Sequence, residues 1–438
     1  MSVSVATRRR PVARVLDWRE VLAGAVLAGM VALAAMLAID AASGPNRQLV
    51  WSLKGPGLPG WLAGPFHGLG GAGLTPGRFY GGLVGLCVLW AAAWALASSI
   101  RLSWALGAAA VLHLVFLLAP PIGLSDVFNY IGYGRLAVVH GLNPYVHVLE
   151  QVPTDPVFAY STWPGWTNPY GPLATLSFYP LGAVAVPQAL WLSKAAAAAT
   201  GLGGAWLAAA AARRLGRPPA AAVVFVALNP VWLAYAVAGA HSDLLVAVAL
   251  LGGVCLWAGR RPAGAGAALL SAAAVKLVGG LALPYAVVGG PRRRALVAGA
   301  AGAAVVIYGV ALALWGPHLL GGLSDQQQVT SPRTVPGLVS RALGYLDPPP
   351  GVTLTAAGLF GLAAVWLLWR TWRGLPWIDA AAWSTVALLL ALTWLMPWYV
   401  IWLLPLAALS RSPGPRWAAV ALTLFVVIVR WAPPLLPS

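Results

Sequence analysis

From Val21 to Val429 the chain alternates long apolar runs with short polar breaks that carry arginine and proline. Many of the runs approach about 20 residues, the length a helix needs to cross a bilayer, and they lack the two-residue alternation of a membrane strand. Lipid offers backbone groups no hydrogen bonds, so the runs predict helices. Val21 to Ile39 follows a basic segment with Arg8, Arg9, Arg10, Arg14 and Arg19 and reads as a signal-anchor, N-terminus inside. Spans at about Tyr80 to Ser99 and Leu102 to Ile122 come next. The loop Asp126 to Pro172 is then outside, and its tyrosines and tryptophans predict short amphipathic helices lying on the membrane. After it, a re-entrant helix broken near Pro187 leads into a span from Leu190. Gly264 to Val288 is too short for two full spans, which predicts two half-length helices meeting near Lys276. Outer loops also fall at 40–78, anchored by Trp51 and Trp61, and at 316–351. The reading is an all-α polytopic membrane protein with about 13 crossings. It divides into residues 1–122 (basic segment and first three spans), 123–172 (outer loop), 173–315 (central helices with the half-helix pair), 316–351 (second outer loop) and 352–438 (C-terminal spans).

Composition confirms the class and changes the meaning of the charge. The chain is 60% hydrophobic and 8% charged, with mean hydropathy +0.80, against about 25% charged residues in soluble domains. A net charge of +17 would suggest nucleic acid in a soluble protein. Here the arginines fall between spans, at Arg101, Arg213, Arg260, Arg292, Arg370 and Arg411 among others, which is the positive-inside pattern. Asp40, Asp126, Glu150, Asp155, Asp243, Asp325 and Asp347 fall on the opposite face. Acids contribute little to orientation, so this bias points to a working face outside. Cys87 and Cys255 sit within apolar runs and imply neither a disulfide nor a metal site. The chain shows no P-loop and no soluble domain in which an ATPase or a nucleotide-sugar enzyme would sit.

Five stretches carry candidate chemistry. Asp126 emerges where the third span leaves the hydrocarbon, and an ionisable group at that depth is a functional candidate. Asn129, Tyr130 and Tyr133 share its helical face, and Arg135 lies two residues on; an acid, an amide and two phenols suit sugar hydroxyls. Asn143-Pro144-Tyr145 and Asn168-Pro169-Tyr170 are similar turns, each delivering a tyrosine to the outer face. His241-Ser242-Asp243 sits at an outer turn, with too few ligands to close a metal site. Lys276 is a lone lysine in an apolar segment, where it needs an anion or water; a lipid phosphate is a natural partner. In Met396-Pro397-Trp398-Tyr399 the proline breaks a helix at the outer boundary, leaving Trp398 and Tyr399 as a wall for sugar or lipid.

An acid early in a long outer loop of a multi-span protein resembles the GT-C glycosyltransferases. Ser125-Asp126-Val127-Phe128-Asn129-Tyr130, Gly141 to Tyr145, Asn168 to Leu173, Gly239 to Asp243 and Ala274 to Leu277 occur in that order. The series, from about Leu124 to Pro284, is similar to actinobacterial polyprenol-phosphate-mannose-dependent α(1→6) mannosyltransferases and the wider glycosyltransferase family 87. The resemblance implies a GT-C-like fold in the bacterial plasma membrane with an extracytoplasmic site. It implies mannose transfer from a polyprenyl-phosphate donor to a mannan or lipoglycan acceptor. Many GT-C members pair two acids in this loop, whereas Asp126 stands alone, so no cofactor is implied and a divalent metal is not expected. One base suffices where the leaving group is a phosphate that departs without a proton. The expected roles are Asp126 as that base, Lys276, Arg135 and His241 on the donor phosphate, and Asn129, Tyr130, Tyr133, Asn143, Tyr145, Asn168, Tyr170, Asp243, Trp398 and Tyr399 around sugar and acceptor. The alternatives are transfer of another sugar, such as a pentofuranose, or transport of a polyprenyl lipid or sugar.

Overall fold

The computed structural model describes residues 17–43, 58–122, 126–320 and 329–428. The N-terminal arginines Arg8 to Arg14, Trp51, Ser125 and Asp325 lie outside the described residues. Every regular element among those described is helical. In chain order they include α1 (Trp18–Ala42), α2 (Pro76–Ala95), α3 (Leu102–Leu118), α4 (Asp126–Val138), α5 (Pro172–Gly182), α6 (Val186–Arg214) and α7 (Pro219–Ala227). There follow α8 (Asp243–Ala258), α9 (Pro262–Val275), α10 (Ala282–Gly289), α11 (Arg293–Trp315), α12 (Val335–Ala342), α13 (Pro350–Trp372), α14 (Trp377–Ala391) and α15 (Gly414–Ile428).

Helices α1, α2, α6, α11 and α13 are long and apolar enough to cross a membrane. A sixth span is possible where α7 continues, after a 51° bend at Asn229-Pro230, into the π-helical turn Val231–Val237. Seven shorter apolar helices of 10–17 residues complete the set. The protein is therefore a polytopic helical membrane protein, with five or six helices of spanning length against the about 13 crossings expected. Burial separates two kinds of long helix. Half of the apolar stretch of α6 is buried inside the bundle, whereas α11 and α13 bury 17% and 6% of theirs and form an open rim.

Two expectations fail for physical reasons. Pro187 does not break a re-entrant helix; it sits in the first turn of α6, where a missing N–H costs nothing and the fixed φ favours helix. Helix α4 does not lie on the surface. Its residues Val127, Phe128, Ile131 and Leu136 are fully buried, because its apolar positions ring the helix and each side needs cover. Helix α5 covers one side by a backbone-to-backbone crossing. A Cβ on Gly134 would lie 2.1 Å from the Phe178 carbonyl oxygen, and one on Gly182 would lie 2.3 Å from that of Gly134. The outer loop covers another side, with Tyr160 stacked on Phe128 at 5.1 Å.

The half-helix pair forms as expected. Helix α9 ends at Val275, Lys276 is extended (φ −153°, ψ 132°), and a 3-10 turn, Leu277–Leu281, leads into α10. One buried cation went unnoticed in the sequence. Lys194 of α6 is fully buried and donates to the carbonyls of Phe116 (3.0 Å) and Ala238 (2.7 Å). Its ammonium thereby ties α3 and α6 to the turn that presents His241 and Asp243.

Candidate active site

Two chain breaks bring the key residues together. Gly171 meets the end of α9 so closely that a Cβ would stand 2.3 Å from the Ala274 carbonyl oxygen, and its N–H bonds the Val275 carbonyl at 2.9 Å. This contact fixes Tyr170 beside Lys276, whose ammonium lies 5.4 Å from the Tyr170 ring centroid. The rings of Tyr399 (4.6 Å) and Trp402 (5.1 Å) complete an aromatic cage, an environment that attracts a cation once water is excluded. Behind the cage Lys276 donates to Asp243 Oδ1 at 3.2 Å, and Trp402 Nε1 donates to the same oxygen at 2.6 Å. Asp243 itself is fully buried.

Asp126 opens α4 on the other side of the same space. Its Oδ2 lies 3.8 Å from His241 Nδ1, and its Oδ1 has no hydrogen-bond partner among the described residues. Burial pushes its carboxyl up to about 6 despite the pull of Lys276; Asp243 adds to the rise and Trp163 opposes it. His241 is held flat against Trp398, ring centroids 3.9 Å apart, and contacts the Tyr130 hydroxyl at 3.3 Å. The Tyr170 hydroxyl donates to that of Tyr130 at 3.4 Å, so a chain of phenols backs the acid.

Asp126 and Lys276 both line one narrow cavity of about 40 Å³, with Asn129, Tyr133, Trp398 and Tyr399. A wider cavity of about 550 Å³ shares Lys276, Tyr170, Trp166 and Tyr399 with it and continues between apolar residues such as Leu277, Tyr308 and Leu388. Tyr308 and Thr353 on its wall belong to α11 and α13, the open-rim helices. Lys276 thus stands at the junction of a polar pocket and an apolar groove.

Several predicted site residues do other work. The Nε of Arg135 bonds both oxygens of Asp155, at 2.8 and 2.9 Å, and His140 reaches the same carboxylate at 2.7 Å. Burial would raise the Asp155 carboxyl, but these partners hold it below the usual range. Arg135 is therefore a loop clamp and is not brought to Lys276. His241 and Asp243 sit behind the cavity and position Asp126 and Lys276; neither lines the space. Asn143 and Asn168 cap their own turns, accepting from the N–H of Tyr145 (3.0 Å) and Tyr170 (3.1 Å). Their amides are spent on the Trp315 carbonyl and the Thr175 hydroxyl. The Tyr145 hydroxyl donates to the Tyr170 carbonyl at 2.9 Å and also braces the loop. Asn129 lines the pocket, yet its Oδ1 takes the Ser161 hydroxyl (2.6 Å) and the Trp163 N–H (3.3 Å). Trp163, Trp166, Trp394 and Trp402 are pocket or cage residues that sequence reasoning missed. Trp402 had a signal, since it follows Tyr399 by one turn.

Residues 21–290 match the family model described as alpha-(1→6)-mannopyranosyltransferase, N-terminal domain. The chain belongs to this family. The matched region holds Asp126, Tyr170, His241, Asp243 and Lys276; Trp398, Tyr399 and Trp402 lie beyond it. A relative from Mycolicibacterium smegmatis, named a probable alpha-(1→6)-mannopyranosyltransferase, is 27% identical over 388 residues. That alignment covers 71% of this chain and 66% of the relative, so the chain spans just under two thirds of that protein's length. No solved structure matches. Among the described residues no group of three or more His, Cys, Asp or Glu is placed to hold a metal.

Proposed function

We propose that this protein transfers a mannosyl residue, with inversion, from polyprenyl-phosphate mannose to a mannan or lipoglycan acceptor, forming α(1→6) linkages at the extracytoplasmic face of the bacterial plasma membrane. Family membership supports the sugar and the linkage. The observation that carries the mechanism is Lys276 at the junction of the apolar groove and the polar pocket. A polyprenyl phosphate has the same layout, an apolar chain ending in an anion. The chain lies in the groove, the phosphate meets the Lys276 ammonium, and the sugar faces Asp126.

An acceptor hydroxyl enters the narrow pocket that Asp126 lines. The acceptor oxygen then bonds the anomeric carbon while the carbon–oxygen bond to phosphate breaks. The bonding pair leaves with the phosphate, and the hydroxyl proton passes to Asp126. Lys276 stabilises the charge that gathers on the leaving phosphate.

Asp126→Asn tests this reading. The variant keeps the shape of the carboxylate and loses its basicity, so transfer in membranes supplied with radiolabelled polyprenyl-phosphate mannose should fall about 10²–10⁴-fold. Full activity at native expression would remove Asp126 as the base.

A further inference from the structure

We infer that the opposite end of the bundle holds a binding site for the phosphate headgroup of an anionic lipid. Helix α8 sets the distance. It begins at Asp243 in the candidate active site and ends at Ala258, just before Arg260 and Arg261. Its length of 16 residues spans about 24 Å, so the two sites are separate.

Three cavities adjoin at the arginine end. The middle one, about 230 Å³, is lined by Arg217, Arg411, Trp257 and Trp377. It shares Trp257 and Leu215 with a cavity of about 280 Å³ that holds Arg214, Arg260 and Arg292. It shares Arg217 and Arg411 with one of about 350 Å³ that adds Arg416. Arginines on flat loops would set membrane orientation equally well; here they wall concave spaces between helices. Basic pockets of this kind, between helices at one membrane face, suit phosphate headgroups.

A second observation lies in the wall of the middle cavity. Trp377 is 2% exposed and its Nε1 has no hydrogen-bond partner among the described residues. A buried N–H without an acceptor is unfavourable, and a phosphate oxygen beside the arginines would supply one. The single acid in the three linings is Asp379. Its Oδ1 is occupied by the Ser410 hydroxyl and the N–H groups of Arg411 and Ser412, and the six arginines of the linings outnumber it.

The test uses the full-length protein in nanodiscs of equal phosphatidylglycerol and phosphatidylcholine, followed by extraction and mass spectrometry of the lipid retained. The expected result is enrichment of phosphatidylglycerol on the wild-type protein. Arg411→Gln alters an exposed side chain and should weaken retention about fivefold. Trp377→Phe keeps a ring against Trp257 and removes only the donor, and should weaken it roughly fivefold. Equal retention of both lipids, or unchanged retention in both variants, would overturn the proposal. So would binding of inorganic phosphate in neutral detergent without any preference for the anionic lipid, because the site would then serve a free anion.

Discussion

Replacing Lys276 by methionine separates its structural role from its proposed chemical one. The side chain keeps its length and loses its charge. Asp243 is then left fully buried, its Oδ1 still held by Trp402 Nε1 at 2.6 Å and its Oδ2 without a partner. An uncompensated buried carboxylate costs about 3–5 kcal/mol, a large share of the stability of any domain. Adding Asp243→Asn removes that charge and retains an oxygen for Trp402. The double variant should recover to within about 2 kcal/mol of the wild type, read from thermal unfolding in one detergent. Transfer should not recover with it. A cation aimed at charge that develops in a water-poor site contributes about 2.7–4 kcal/mol, or 10²–10³ in rate. The assay is transfer from radiolabelled polyprenyl-phosphate mannose by both variants reconstituted at equal folded amounts. If stability and transfer return together in Lys276→Met/Asp243→Asn, the pair is a structural element only, and the phosphate site lies elsewhere.

Asp126 must be ionised to accept a proton, and burial has raised its carboxyl to about 6. The rate should therefore be flat above that pH and fall tenfold per unit below it; a profile still flat at pH 5 would contradict the assignment. Tyr145→Phe removes the hydrogen bond to the Tyr170 carbonyl and should lower stability by about 1 kcal/mol without changing apparent donor affinity, as measured by unfolding and by KM. A raised KM at unchanged stability would return Tyr145 to the sugar site.

The residue types at the site were legible where membrane burial makes polar groups expensive. Asp126 and Lys276 stand out from apolar surroundings by composition alone, and Lys276 was also readable as the break between half-helices. Asp243 and His241 were found by the same logic, but their depth was not. A side chain at a turn reads as exposed until another element covers it, and here Trp398 and Trp402 arrive from about 160 positions down the chain. Arg135 shows the same limit. Its spacing from Asp126 suits a shared site, but Asp155, 20 residues on, lies closer and binds it through both oxygens. Of the two Asn-Pro-Tyr turns, one brings its tyrosine, Tyr170, to the pocket while Tyr145 braces the loop, and in both the asparagine spends its oxygen on the turn itself. Crossings were the least legible feature of the fold. Arginine positions require the chain to return to one face but do not say whether it returns through one long helix or two short ones.

Asp126, with no acid beside it in the sequence, looked like a departure from paired-carboxylate sites, yet a second carboxylate is present at the site. It comes from a different part of the chain. Asp243 sits behind Lys276, and its environment is opposite to that of Asp126. One carboxylate takes an ammonium and an indole N–H on a single oxygen and lies behind the pocket; the other lines it. Environments that differ in this way assign different duties to identical groups. Asp243 fixes the position of the lysine and does not line the pocket, so it is not offered to a leaving group. A glycosidase could not accept that loss, because its leaving group needs an acid. Transfer from a phosphate donor can, because the leaving group carries its own negative charge and needs a cation instead. The same pair of acids that would be incomplete for hydrolysis is sufficient for the transfer we propose, with the second carboxylate acting through the lysine it holds.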